Sequence, residues 1–243
     1  MENSTIKNEE ASTQEAFLDK RVQRRSFLKY AGAGAAGVAL VAAGCKQSNF
    51  NPDDPNNSMG KAVSLGSGDV GILNYAYALE QLEAAFYIQV IATPFSGMTA
   101  VETALLTDIR DHEIAHREFF KTAIPANGGT AIPALEVDFS SINFGSRASV
   151  LGTARAFEDL GVSAYDGAGY LLKNETFLLL AGKIVSVEAR HAALIRELLD
   201  TNSFLGDQVD ANSVNIARTP AQVLAIAGTY IKTKIDASSL PTS

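Results

Sequence analysis

The sequence predicts an all-α protein: an up-down-down-up four-helix bundle with a long crossover between helices 2 and 3 and a short fifth helix near the C-terminus. Apolar residues recur at steps of three and four along four long stretches, as one face of an α-helix requires. Only short turns join the first stretch to the second and the third to the fourth, which favours antiparallel neighbours. The 22 residues Pro125 to Ser146, PANGGTAIPALEVDFSSINFGS, separate the two hairpins and are enough to run the length of a bundle.

Residues 1–44 read as an address rather than as part of the fold. Arg24 and Arg25 form a twin-arginine pair followed by Phe27-Leu28-Lys29 and then a weakly apolar run, YAGAGAAGVALVAAG, from Tyr30 to Gly44. At about 15 residues the run falls short of the ~20 needed to cross a bilayer. Its Gly and Ala content suits a transient signal better than a permanent anchor or a buried helix. The arrangement resembles a bacterial twin-arginine export signal, which implies the twin-arginine machinery as a partner. The single Cys, Cys45, closes the run after Val41-Ala42-Ala43-Gly44. Small residues before a Cys resemble a lipobox, in which the Cys is acylated, although the usual Leu three residues earlier is Ala42 here. The expectation is a lipid anchor at Cys45 in the bacterial cell envelope, facing the periplasm or the outside; an unmodified free Cys is the plainer alternative. Residues 45–66 are polar and rich in Asn, Asp, Pro and Ser, and read as a flexible tether. That leaves 67–235 for the bundle and 236–243 as a tail.

Within the bundle, helix 1 is expected over 69–92, stopping at Thr93-Pro94, with Leu73, Tyr77, Glu80, Ala84, Tyr87 and Ile91 on one face. Helix 2 is expected over 100–123, with Leu106, Ile109, Glu113, His116 and Phe120. Helix 3 covers 147–172, with Leu151, Ala154, Glu158, Val162 and Tyr165. Helix 4 covers 174–200, with Phe177, Ala181, Ile184, Glu188, His191, Ile195 and Leu198. Thr219-Pro220 opens the fifth helix, to about residue 231, as cap and first-turn proline.

Each stripe is broken where an apolar residue belongs. Glu80 breaks the first, Glu113 and His116 the second, Glu158 the third, and Glu188 and His191 the fourth. Residues three apart share a helix face, so each Glu-x-x-His pair aims two donors at one place. Carboxylates buried together are costly and raise one another's pKa. By count, two divalent cations would offset four such charges, and carboxylate plus imidazole suits iron or manganese, with zinc admissible. The pattern is doubled: Tyr87 follows Glu80, and Tyr165 follows Glu158, at the same spacing of seven. Each hairpin thus offers one Glu from its first helix and a Glu-x-x-His from its second.

On these motifs the chain resembles the ferritin-like superfamily of dinuclear carboxylate proteins, which build their metal sites in the bundle core from this ligand pattern. LEQLEAAFY (79–87) and RDHEIAHREFF (110–120) bring it nearest to the desiccation-related branch. The resemblance covers about 69–200. It implies metal ligands at Glu80, Glu113, His116, Glu158, Glu188 and His191, with Glu113 and Glu188 bridging. It also implies redox chemistry such as iron oxidation or disposal of peroxide or oxygen. Tyr87 and Tyr165 are expected to reach ligands with their hydroxyls or to act as redox groups.

Other readings compete. His112-Glu113-Ile114-Ala115-His116 is literally H-E-x-x-H, the zinc-protease signature, but it lacks a downstream third ligand and leaves the other breaks unexplained. Glu83 could replace Glu80, and His112 is expected beside a ligand or at the surface. A metal-free, stress-protective or structural envelope protein is the non-catalytic alternative. A net charge of −7 with no basic stripe after residue 45 speaks against nucleic acid. A homodimer is an admissible assembly.

Overall fold

The structure is a computed structural model that describes residues 62–242. Four long helices dominate it: α1 (Gly68–Ala92), α2 (Ala100–Ala126), α3 (Arg147–Gly169) and α4 (Glu175–Leu199), followed by a short α5 (Pro220–Ala227). α1 packs along α2 and α3 along α4, and α1 also touches α3. Among the described residues, no helix is long and apolar enough to cross a membrane.

Local chemistry sets the ends of these helices. Thr99 caps α2 in a reciprocal box with Glu102, whose carboxylate also takes Arg147 Nε at 2.6 Å and so ties the start of α2 to the start of α3. Asn174 caps α4, and Asp69 in the first turn of α1 accepts the backbone N–H groups of Lys173 and Asn174, which fixes the α3–α4 turn against α1. Thr219 and Gln222 form a second capping box, with Pro220 opening α5. The α2 end departs from the expected stop near residue 123. Pro125 is carried inside the last turn, and Gly128, at φ +78°, closes a Schellman motif with bonds from Gly128 N to Pro125 O and from Gly129 N to Ile124 O.

α1 is buried on nearly every side from Gly71 to Ala84. Two side-chain amides two turns apart hold the crossover along its outer face. Asn74 bonds Leu65 O, Thr130 O and Ile132 N, and Gln81 bonds Pro133 O and Leu135 N. The crossover is pinned in turn by the C-terminal segment, through Asp138 N to Tyr230 O and Lys232 N to Glu136 O. Phe86, Phe139, Phe157 and Tyr230 pack edge-on beneath this layer.

The two ends of the described segment pair with each other. Val63–Ser64 (β1) pairs in parallel with Ile235–Asp236 (β2), and Leu65 and Leu240 are buried. The last residues assigned to the tether and part of the tail therefore pack onto the bundle. A two-residue strand is too short to leave a period in sequence. Arg24, Arg25 and Cys45 lie outside the described residues.

Candidate metal centre

The six donors come from four helices: Glu80 on α1, Glu113 and His116 on α2, Glu158 on α3, Glu188 and His191 on α4. All four carboxylates are fully buried, His191 nearly so, and the His116 side chain is 13% exposed. They occupy core positions of otherwise apolar stripes, so the packing that buries Leu106, Ile109, Leu151 and Ile195 also carries them inward.

They converge as two overlapping groups. In each, one donor atom per residue lies within 4.8 Å of every other: Glu80, Glu113, His116 and Glu188 form one, and Glu113, Glu158, Glu188 and His191 the other. Glu113 and Glu188 belong to both. The distances repeat under a pseudo-two-fold exchange of hairpins. His116 Nδ1 lies 2.7 Å from Glu188 and 3.4 Å from Glu80, and His191 Nδ1 lies 2.8 Å from Glu113 and 3.5 Å from Glu158. Each imidazole approaches the shared carboxylate of the opposite hairpin more closely than the one on its own helix.

Close as they are, these contacts are not aligned as hydrogen bonds. His116 Nδ1, His191 Nδ1, Glu80 Oε2, Glu158 Oε2 and both oxygens of Glu113 and of Glu188 are buried without a hydrogen-bond partner. Buried polar atoms in native proteins are nearly always paired, so a cluster of unpaired donors like this one suits a bound cation. The other two carboxylate oxygens are taken crosswise. The Tyr87 hydroxyl on α1 donates to Glu158 Oε1 on α3 at 2.5 Å, and the Tyr165 hydroxyl on α3 donates to Glu80 Oε1 on α1. Each group is thereby left with three oxygens and one nitrogen, an arrangement that fits a divalent metal ion.

Without a cation, protons do the neutralising. Burial pushes Glu80 and Glu113 up, reinforced by the charge on Glu188, and lifts Glu158 to about 7 against the pull of His191. Burial also opposes the charge on Glu188, but His116 and His191 flank it and hold it at about 2. The imidazoles resist burial in the same way: Glu113, Glu188 and Glu80 raise His116 to about 12, and Glu113, Glu158 and Glu188 raise His191. Glu113 and Glu188 face the same two imidazoles, so the protons they hold belong to the cluster as a whole rather than to either carboxylate.

Two residues beyond the six complete the surroundings. Glu83 is buried but belongs to neither donor group, and burial plus the charges of Glu113, Glu188, Glu158 and Glu80 push its pKa well above the ordinary carboxylate range. His112 is also in neither group; its Nδ1 lies 2.9 Å from His191 Nε2, on the side of that ring facing away from the carboxylates. The zinc-protease pattern needs His112 and His116 on one ion, which this placement does not provide. Glu136, in the crossover, is exposed beside Lys232. The His112 contact had a legible cue, a third histidine one turn before His116. The burial of Glu83 against α3 had none.

With the geometry in place, comparison with family models gives two matches. Residues 68–201 match the ferritin-like domain, and residues 21–41 match the twin-arginine translocation pathway signal sequence. The first spans the four helices and all six donors. The second indicates export into the cell envelope. No curated protein matches the chain.

Proposed function

The chain belongs to the ferritin-like domain family, and from that premise we propose that it is an exported dinuclear metal protein of the cell envelope. The reading rests on one observation above the others: Glu113 and Glu188 serve two donor groups at once. Glu80 with His116 would hold one ion, Glu158 with His191 the other, and Glu113 and Glu188 would bridge them. Iron or manganese suits this oxygen-rich set, and zinc also fits.

A pair of iron or manganese ions would supply the redox couple needed for iron oxidation or for disposal of peroxide or oxygen. The residues contribute the rest. Tyr87 and Tyr165 hold one oxygen of Glu158 and of Glu80, so each of these carboxylates turns a single oxygen to the centre. Metal entry would displace protons from these imidazoles and carboxylates, which must be deprotonated to ligate. Burial keeps bulk water from the donors. Acylation of Cys45 would hold the exported protein at the membrane.

The test is protein purified from its own host, assayed for consumption of oxygen or peroxide with ferrous iron, and followed by its absorption spectrum. A metal-loaded protein that consumes neither would refute the redox part of the reading.

A further inference from the structure

The two halves of the metal centre are alike in their donors and unlike in what surrounds them. The residue before each Glu of the Glu-x-x-His pairs is His112 on α2 and Val187 on α4. Seven residues before those Glu stand Leu106 and Ala181, and seven residues after each His stand Ala123 and Leu198. α2 and α4 run in opposite directions, since Ala123 and Ala181 line one groove while His112 meets His191. Exchange of the hairpins therefore sets His112, Leu106 and Leu198 at the His191 end against Val187, Ala181 and Ala123 at the His116 end.

The first difference is a hydrogen bond. His112 Nδ1 lies 2.9 Å from His191 Nε2, and among the described residues this is the only hydrogen bond to an imidazole of the Glu-x-x-His pairs. A ligating nitrogen carries no proton, so with Nδ1 turned to the carboxylates His191 donates through Nε2–H to His112. Such a partner fixes the tautomer and ring orientation and makes the ligand more basic; its loss typically weakens metal binding ~10–100-fold. Val187 offers His116 no such acceptor.

The second difference is cover. At the His191 end Leu106, Ile109 and Ile195 are buried, and Leu198 packs on the core. At the His116 end the two alanines leave a groove between α2 and α4 that opens to solvent beside Phe119 and Asn127. Its wall includes Ala76, Phe120 and Ile184, one turn from Glu80, His116 and Glu188, and no residue one turn from Glu158 or His191. The His116 side chain is 13% exposed, against 5% for His191. The apolar shell around a metal site controls the access of water, and water must take the place of protein ligands when an ion exchanges.

Resting on the dinuclear reading, we infer that the two metal positions have different duties. The ion beside His191 is retained as a resident part of the protein, and the position beside His116 exchanges its ion with solution. His112 is the positioning residue that holds the resident ion, acting through the His191 ring. The His116 position is where a divalent cation arriving as substrate, ferrous iron in the redox reading, enters the centre.

The test loads the exported protein with zinc, which keeps one oxidation state, and counts the ions. Exchange against isotopically enriched free zinc is then followed by mass spectrometry of the desalted protein. Two phases of equal amplitude are expected, differing in rate at least about tenfold. His191→Ala should remove the slow phase, and His116→Ala the fast one. His112→Ala should speed the slow phase at least about tenfold and leave the fast one alone, whereas His112→Gln, which can still accept from His191, should preserve it. Ala181→Leu, which puts the leucine of the closed end on the open one, should slow the fast phase. Two bound ions exchanging in a single phase, or a slow phase that persists in His191→Ala, would overturn the inference and leave the two-ion centre intact. Unchanged exchange in His112→Ala, or equal acceleration in both His112 variants, would overturn the role of His112. An unchanged fast phase in Ala181→Leu would overturn the role of the groove. Fewer than two zinc ions in the loaded parent would instead sink the dinuclear reading, and this inference with it.

Discussion

Glu83 on α1 lies directly against Gly161 on α3: a Cβ at position 161 would sit 2.9 Å from Glu83 Oε1. The two are counterparts in the internal repeat, since Glu83 follows Glu80 by three residues and Gly161 follows Glu158 by three. Counterparts meet near the pseudo-two-fold axis, and only one of them can carry a side chain. The bundle thus accepts a fifth buried carboxyl on one half by leaving the other half empty. Gly161→Ala gains ~1 kcal/mol of helix propensity but must push the buried Glu83 carboxyl aside, so its net effect should lie within ~1 kcal/mol of neutral. In a Glu83→Ala background the same substitution should be more favourable by at least ~0.5 kcal/mol. Chemical denaturation of the four proteins of the cycle measures this, and strict additivity would show that the two positions do not compete.

Tyr87 and His112 touch donors of one half of the centre and Tyr165 a donor of the other, so their removal should be read half by half. Tyr87→Phe leaves Glu158 Oε1 without its hydroxyl, and Tyr165→Phe does the same to Glu80 Oε1. Loss of such an outer partner typically weakens metal binding ~10–100-fold. Tyr87→Phe and His112→Ala should both loosen the ion held by His191, and Tyr165→Phe the ion held by His116. Competitive chelator titration resolves the two ions. Equal loosening of both by every variant would contradict the crosswise wiring.

The metal-free protein should lose stability as pH rises, and the sign follows from the protons. Burial raises Glu158 from 4.5 to about 7. The folded state therefore keeps a proton that the unfolded chain releases above about 4.5. His116, raised from 6.5 to about 12, extends the same trend above neutrality. Glu188, held at about 2, adds stability above its unfolded value of 4.5 and loses it only as pH falls through about 2. Between pH 5 and 9 the sum falls, by at most ~1.4 kcal/mol per pH unit for each proton retained. Metal binding releases those protons, so affinity should rise over the same range and the gap in Tm between metal-loaded and metal-free protein should widen. Calorimetry across that range checks both slopes; a Tm gap that narrows with pH would show that the donors are not protonated in the metal-free state.

Much of this architecture is legible in the sequence because long helices write a 3.6-residue period, and a Glu or His inside an apolar stripe is conspicuous. Glu80, Glu113, His116, Glu158, Glu188 and His191 all stand out in this way, and the structure gathers them. What escapes is set by packing between segments distant in sequence. α1 reads as amphipathic but is enclosed, because Asn74 and Gln81 hold the crossover over its outer face. The pairing of Val63–Ser64 with Ile235–Asp236 joins segments too short to show alternation. Glu83 looks interchangeable with Glu80 until Gly161 is placed opposite it. The α2 end was hidden because Pro125 reads as a stop, whereas the helix carries it into its last turn before Gly128 and Gly129 close the end with bonds to Pro125 O and Ile124 O.

The central claim, that Glu113 and Glu188 are shared between two ions, is tested most directly by counting metals per chain in protein purified from its own host, alongside His116→Ala and His191→Ala. The account predicts two ions per chain in the parent, with each substitution emptying mainly its own half and sparing the other. A single tightly held zinc that survives His191→Ala but is lost in His112→Ala would contradict it.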